Sequence, residues 1–161
     1  MNVDDVLKPD CIIDGLEAGT KEEVLDKMAH FLLEKGYVKD SFPAAILERE
    51  RLYPSGLPME GHKIAIPHTD AEHVNKSIIL FARLKNPLEF SSMGDPNEKL
   101  QIQLVSMFAL KEKKQIGYLL DVLITSYSDN EVLETILKAA SASEIYQLLK
   151  SAVGAHMKSG Q

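Results

Sequence analysis

Leu100-Gln101-Ile102-Gln103-Leu104-Val105-Ser106-Met107-Phe108-Ala109-Leu110 alternates apolar and polar residues through its first half and is then almost wholly apolar. Alternation marks a strand with one covered face, and the apolar continuation marks one covered on both. The run predicts a strand over residues 100–110 inside a sheet. Upstream, Ser77-Ile78-Ile79-Leu80-Phe81-Ala82-Arg83-Leu84 predicts a second interior strand, and the polar stretch from Pro87 to Glu98 reads as the connection between the two.

Further toward the N-terminus stands Gly61-His62-Lys63-Ile64-Ala65-Ile66-Pro67-His68-Thr69-Asp70. Its middle alternates as a short strand, Pro67 ends it, and His68 is presented at the strand end, where α/β folds tend to place their sites. Before it, Pro54, Gly56 and Pro58 predict an irregular loop. Cys11-Ile12-Ile13 is expected to form an edge strand, and residues 1–10 a polar lead-in.

Helices fill the remainder. Thr20 and Glu23 fit a capping box, and Val24, Leu25, Met28, Ala29, Leu32 and Leu33 follow at helical spacing up to Gly36. A second helix starts at Asp40-Ser41-Phe42-Pro43 and ends near Leu52 after Glu48-Arg49-Glu50-Arg51. Residues 111–126 carry a broad apolar stripe, Asp129 can cap a further helix, and Ser141 with Glu144 opens the last one. Strands mixed with helices early and a helical C-terminal third predict a single-domain α/β layered sandwich. The expected boundaries are one domain over residues 1–153 and a flexible tail over 154–161.

Composition narrows the class. The 161 residues are 45% apolar and 26% charged, with 9 Gly and 7 Pro, which suits one well-buried core. A formal charge of −6 argues against nucleic acid as the main partner. A lone Cys11 forbids an intrachain disulfide, and with neither a signal-like start nor a long apolar run the expectation is a cytoplasmic protein. The chain carries no GxGxxG, no P-loop and no CxxC.

The residues that could carry chemistry cluster around His68. A neutral imidazole can be nucleophile, base or ligand, and a turn histidine bonded to a backbone carbonyl is the bland alternative. His62, His68 and His73, with Asp70 or Glu72, make an imaginable metal set, although their spacing matches no closed zinc signature. Arg49 and Arg51 are either solvated cations at a helix C-terminus or donors to an oxyanion held at His68. Gln115, Ser92 and Ser106 are potential hydrogen-bond donors. Lys111, Lys113 and Lys114 form a small basic patch.

Leu47-Glu48-Arg49-Glu50, Pro54-Ser55-Gly56-Leu57 and Lys63-Ile64-Ala65-Ile66-Pro67-His68 together resemble the signature of type-2 enzyme IIA domains. These form the mannitol/fructose superfamily of the bacterial phosphoenolpyruvate-dependent sugar phosphotransferase system. The resemblance runs from about residue 8 to residue 150 and implies a mixed β-sheet flanked by helices. It implies that His68 accepts a phosphoryl group on Nε2 from the phosphocarrier HPr, and passes it to a cysteine of a cognate IIB that serves a membrane IIC. Arg49 matches the family's active-centre arginine, and Gln115 falls where the mannitol and fructose branches carry a second histidine. That departure, together with Leu52-Tyr53-Pro54-Ser55-Gly56-Leu57-Pro58, looks like the galactitol-type subgroup. A nitrogen-regulatory paralogue and a histidine-ligated metal-dependent hydrolase are the competing readings. The relay itself calls for no cofactor and no metal. Leu57, Pro58, Met59 and Met93 are expected to rim the site for successive partners.

Overall fold

A computed structural model describes residues 1–157; the expected tail beyond that point, residues 158–161, lies outside the described residues. Five strands form one sheet in the order β1-β4-β5-β3-β2: β1 (Leu7–Leu16), β2 (Gly56–Leu57), β3 (Ile64–Ala65), β4 (Ile78–Ser91) and β5 (Lys99–Ala109). The sheet is mixed. β1 runs parallel to β4, β4 antiparallel to β5, β5 parallel to β3, and β3 antiparallel to β2.

Where they pair without a shift, residues 78–83 with 104–109, both interior strands obey the period of two. On β4 and β5, Leu80, Ala82, Val105 and Met107 face one layer, while Ile79, Phe81, Leu104 and Phe108 face the other. The first layer holds α2 (Lys21–Glu34) and α3 (Phe42–Leu52), which contribute Val24, Leu25, Met28, Phe42 and Ile46. The second holds α4 (Ile116–Tyr127), α5 (Asn130–Leu137) and α6 (Ala142–Gly154), with Leu119, Leu123, Leu133, Ile145 and Leu149. Helices on both faces explain why the two strands read as nearly continuous apolar runs.

The expected helix caps are present with one shift. The Thr20 and Ser141 hydroxyls accept from the Glu23 and Glu144 amides, but the Glu23 and Glu144 carboxylates accept from Gly19 and Ala140, one residue before each cap. Asp129 caps α5 through the Glu131 amide. A short helix α1 (Val3–Val6) and an early start to β1 replace the polar lead-in, because Val6, Leu7 and Cys11 are buried. Pro9 is tolerated there since β1 is an edge strand with a register irregularity between Leu7 and Ile12.

The larger difference is β4. It does not stop at Leu84 but continues to Ser91 past a register shift between Arg83 and Leu88, so much of the expected polar connection is strand. Arg83 anchors this bend. Its Nε and Nη2 donate to the Asp14 carboxylate at 2.7 and 2.8 Å, and Nη1 donates to the Ile136, Leu137 and Ala139 carbonyls at the end of α5. At the other edge, the Pro- and Gly-containing loop contributes the two-residue strand β2. Gly56 fits there because a Cβ at that position would lie 2.7 Å from the Ser91 carbonyl oxygen.

Candidate functional site

His68 leaves the sheet one turn beyond β3. The parallel pairing of Ile64 with Leu104 and Ala65 with Val105 carries the chain alongside β5, and the Phe108 amide then donates to the Pro67 carbonyl at 3.1 Å. That bond fixes the Pro-His turn over β5. The imidazole stacks on the Phe108 ring, with centroids 4.6 Å apart and planes inclined by 15°.

The ring's tautomer follows from its partner. Nδ1 lies 3.0 Å from the Ile66 carbonyl oxygen, which can only accept, so Nδ1 carries the proton and Nε2 keeps its lone pair. Burial pushes the imidazole below its ordinary pKa, the Ile66 bond opposes this, the Arg49 cation adds to it, and Asp70 opposes it. The neutral ring, nucleophilic at Nε2, is the form the site favours.

The surroundings of His68 come largely from α3 and the loop after it. A cavity of about 340 Å³ is lined by His68, Arg49, Glu50, Tyr53, Ser55, Met93 and others. Arg49, on the last turn of α3, is half-buried, and its guanidinium lies 4.6 Å from the Tyr53 ring centroid. Arg51 points elsewhere. It is exposed, paired with the Glu48 carboxylate through Nε and Nη2, and does not line this cavity. Glu50 is 4% exposed and accepts the Ser55 amide at 2.9 Å. The Ser55 hydroxyl is buried without a hydrogen-bond partner.

Other residues singled out in the sequence are dispersed. His62 is exposed, and its amide donates to Asn130 Oδ1 at 2.7 Å. His73 bonds the Ser41 hydroxyl through Nδ1 at 2.8 Å, with Nε2 3.7 Å from Glu72. Among the described residues no group of three or more His, Cys, Asp or Glu is placed to hold a metal ion, so the imagined histidine set is not assembled. Ser106 is a core residue that shares a 2.8 Å hydrogen bond with the Tyr127 hydroxyl. Ser92 is buried with its hydroxyl unpartnered. Lys111, Lys113 and Lys114 are exposed.

Gln115 ends a 3-10 turn and caps α4, half-buried, with its side chain making no capping bond. It is not among the residues lining the His68 cavity. Its neighbours Lys113, Ile116 and Gly117 instead share a hollow with Asp70, Ala71 and Glu72, the loop just past His68. Of the expected rim, Met93 lines the cavity, Leu57 is buried, Met59 packs into the second core layer and Pro58 is exposed. Among the described residues, the large apolar groups left open are Leu52 and Tyr53, at 52% and 62%, both beside the cavity.

Comparison with known proteins matches residues 5–152 to the family described as phosphoenolpyruvate-dependent sugar phosphotransferase system, EIIA 2. The chain belongs to this family. It is 32% identical over 123 residues to the galactitol-specific EIIA component of Escherichia coli strain K12, covering 76% of this chain and 81% of that protein. It is 28% identical over 158 residues to the nitrogen regulatory protein homolog of Haemophilus influenzae, covering 93% and 92% of the two chains. Among solved structures, enzyme IIA of the mannitol system from Escherichia coli, in complex with phosphorylated enzyme IIB, superposes with a TM-score of 0.74 at 28% identity, covering 90% of this chain and 97% of that one. The EIIA 2 domain described here is thus a phosphocarrier of the phosphotransferase system. None of its described helices is long and apolar enough to cross a membrane.

Three features of the site escaped sequence reading. Phe108 reads as strand core, yet its ring is also the floor under His68. Tyr53 carries a usable signal, because it stands four residues after Arg49, the spacing at which side chains meet at a helix end. Glu50, inside a run of four charged residues, reads as solvated but is buried.

Proposed function

We propose that this EIIA domain accepts a phosphoryl group from phospho-HPr on Nε2 of His68 and passes it to the cysteine of a cognate IIB, in the cytoplasm, for uptake of galactitol or a similar polyol. The observation that supports this most is the Ile66 carbonyl on Nδ1, which leaves Nε2 unprotonated in a residue that lines one cavity with Arg49.

In the first step, Nε2 forms a bond to phosphorus as the bond from phosphorus to the HPr nitrogen breaks. His68 keeps its Nδ1 proton, so the ring gains formal positive charge, and the Ile66 carbonyl accepts that more acidic N–H. Arg49, held against Tyr53, supplies a planar donor pair for the equatorial oxygens. In the second step the IIB thiolate attacks, the N–P bond breaks, and the neutral ring returns. Gln115 is assigned a supporting amide donor role, favoured by the approach of the start of α4 to the loop after His68. Exposed Leu52 and Tyr53, with Met93, give each partner an apolar ring around the phosphate.

Incubation with phosphoenolpyruvate, enzyme I and HPr tests the relay. The wild-type chain should gain the mass of one phosphoryl group and His68→Ala none; a wild type that gains nothing overturns it. Adding galactitol IIB and IIC membranes then tests the substrate by phosphorylation of galactitol. A regulatory role is the second reading, favoured by the near full-length similarity to the Haemophilus influenzae nitrogen regulatory protein homolog. It is the better reading if phosphorylated chain feeds no IIB yet changes its binding to another protein.

A further inference from the structure

The relay leaves the buried carboxyl of Glu50 without a task. Glu50 lies between Arg49 and Arg51 on α3 and is 4% exposed. Its Oε2 accepts the Ser55 amide at 2.9 Å. The Ser55 carbonyl accepts the Ile66 amide at 3.0 Å, and the Ile66 carbonyl accepts Nδ1–H of His68 at 3.0 Å. Three hydrogen bonds therefore join a buried carboxyl to the imidazole.

We propose that Glu50 is a positioning residue for His68, acting through Ser55 and Ile66 to hold the carbonyl that keeps the proton on Nδ1 and turns Nε2 into the cavity. The functional half of this inference rests on His68 being the phosphoacceptor.

Local geometry explains why a side chain is needed. The Tyr53 amide makes the last backbone bond of α3, to Arg49, and Pro54 has no amide to offer. Ser55 follows, buried, with its N–H out of reach of the helix ladder, and the Glu50 carboxylate satisfies it. Beyond Ser55 the chain enters β2, which pairs with β3 over only two residue pairs, Gly56 with Ala65 and Leu57 with Ile64. The bond from Ile66 to Ser55 is the next rung outward. The pairing of β3 with β5 and the Phe108–Pro67 bond hold this segment on its inner side, and the Glu50 anchor on Ser55 holds the outer rung that carries the Ile66 carbonyl. Successive links run through different peptide planes, so the chain transmits position and not charge. Burial raises the Glu50 pKa, and the bond from the Ser55 amide works against that rise.

The test compares Glu50→Gln, whose amide oxygen can still accept from Ser55, with Glu50→Leu, which cannot accept. ¹⁵N NMR of the His68 ring in the unphosphorylated protein reads the tautomer without any phosphoryl transfer. Glu50→Leu is expected to move the two ring nitrogens toward averaged shifts and to slow phosphoryl acceptance from phospho-HPr about 10- to 100-fold. Glu50→Gln should keep the wild-type ring shifts and a rate within about threefold of wild type. A folded Glu50→Leu protein with wild-type ring shifts overturns the proposal. So does a Glu50→Gln protein with wild-type ring shifts and a rate more than about tenfold down, which would make the charge and not the position decisive. If Glu50→Leu does not fold, the smaller Glu50→Ala, which also cannot accept from Ser55, is read in its place against the same expected and overturning results. If the wild-type chain accepts no phosphoryl group the relay fails, while the ring shifts still judge the positioning chain.

Discussion

The His68 and Phe108 rings stack nearly parallel, their planes 15° apart and centroids 4.6 Å from each other, and the Phe108 amide also holds the Pro67 carbonyl. One residue of β5 thus supports the imidazole twice, by its backbone and by its ring. Because Phe108 is buried, replacing it with Ala removes the floor of the site together with core volume. Phe108→Ala should cost about 3–5 kcal/mol of stability by denaturant titration. Phe108→Leu should cost less, and yet still slow phosphorylation of His68, since the flat contact is lost.

The two arginines at the end of α3 should separate cleanly. Arg49→Ala removes the guanidinium from the His68 cavity and should lower phosphoryl acceptance about 100- to 1000-fold. Arg49→Lys should recover little of it, because an ammonium offers no planar fork. Arg51→Ala should leave the rate within about twofold, as Arg51 is exposed and spent on Glu48. Stopped-flow phosphoryl transfer from phospho-HPr measures all three.

Burial, reinforced by Arg49, keeps the His68 pKa below its ordinary value. Acceptance of phosphate should therefore persist to lower pH than for a free imidazole and fall only as the folded-state group protonates. The stability consequence has a definite sign. With the folded pKa depressed, the unfolded chain binds more protons in the interval between the two values. The contribution of His68 is fully present above the unfolded pKa, about 6.5, and declines as pH falls toward the folded one. His68→Gln should flatten that part of the stability profile in urea titrations across pH 5 to about 8.

Gly56→Ala should destabilise the β2 edge. Its Cβ would meet the Ser91 carbonyl oxygen at 2.7 Å and a Leu100 methyl at 3.1 Å. The expected cost is about 1–3 kcal/mol, seen as a lower urea midpoint with an unchanged slope.

Where the sequence was legible, period and capping carried it. Leu100–Leu110 and Ser77–Leu84 are long enough for alternation to declare two interior strands, and Thr20, Asp129 and Ser141 mark their helices directly. β2 and β3 contain two residues each, too few for any period to show. In β4, Lys85, Asn86 and Pro87 read as a break because local propensity cannot see the pairing of Leu88 to Ser91 with β5 that resumes beyond it. At the site, His68 and Arg49 were named in advance through the family signature, and the structure lines one cavity with both. Phe108 was hidden by its second role, since an apolar residue on an apolar strand announces only the core. The run Glu48-Arg49-Glu50-Arg51 concealed a division by helical face. Residues 48 and 51 turn to solvent and pair with each other, and residues 49 and 50 turn to the cavity.

The pairing of β3 with β5 also fixes a time. Val105, opposite Ala65, follows it by forty residues, and Phe108 comes later still. At about 5–20 residues per second, a ribosome takes roughly 2–8 seconds to supply them. Until then the segment carrying His68 has no neighbour on its inner side and no surface to lie on. Under the relay proposed above, a nascent chain accepts no phosphoryl group through most of its synthesis, and the capacity to carry phosphate arrives late, as a certificate that the middle of the sheet has closed.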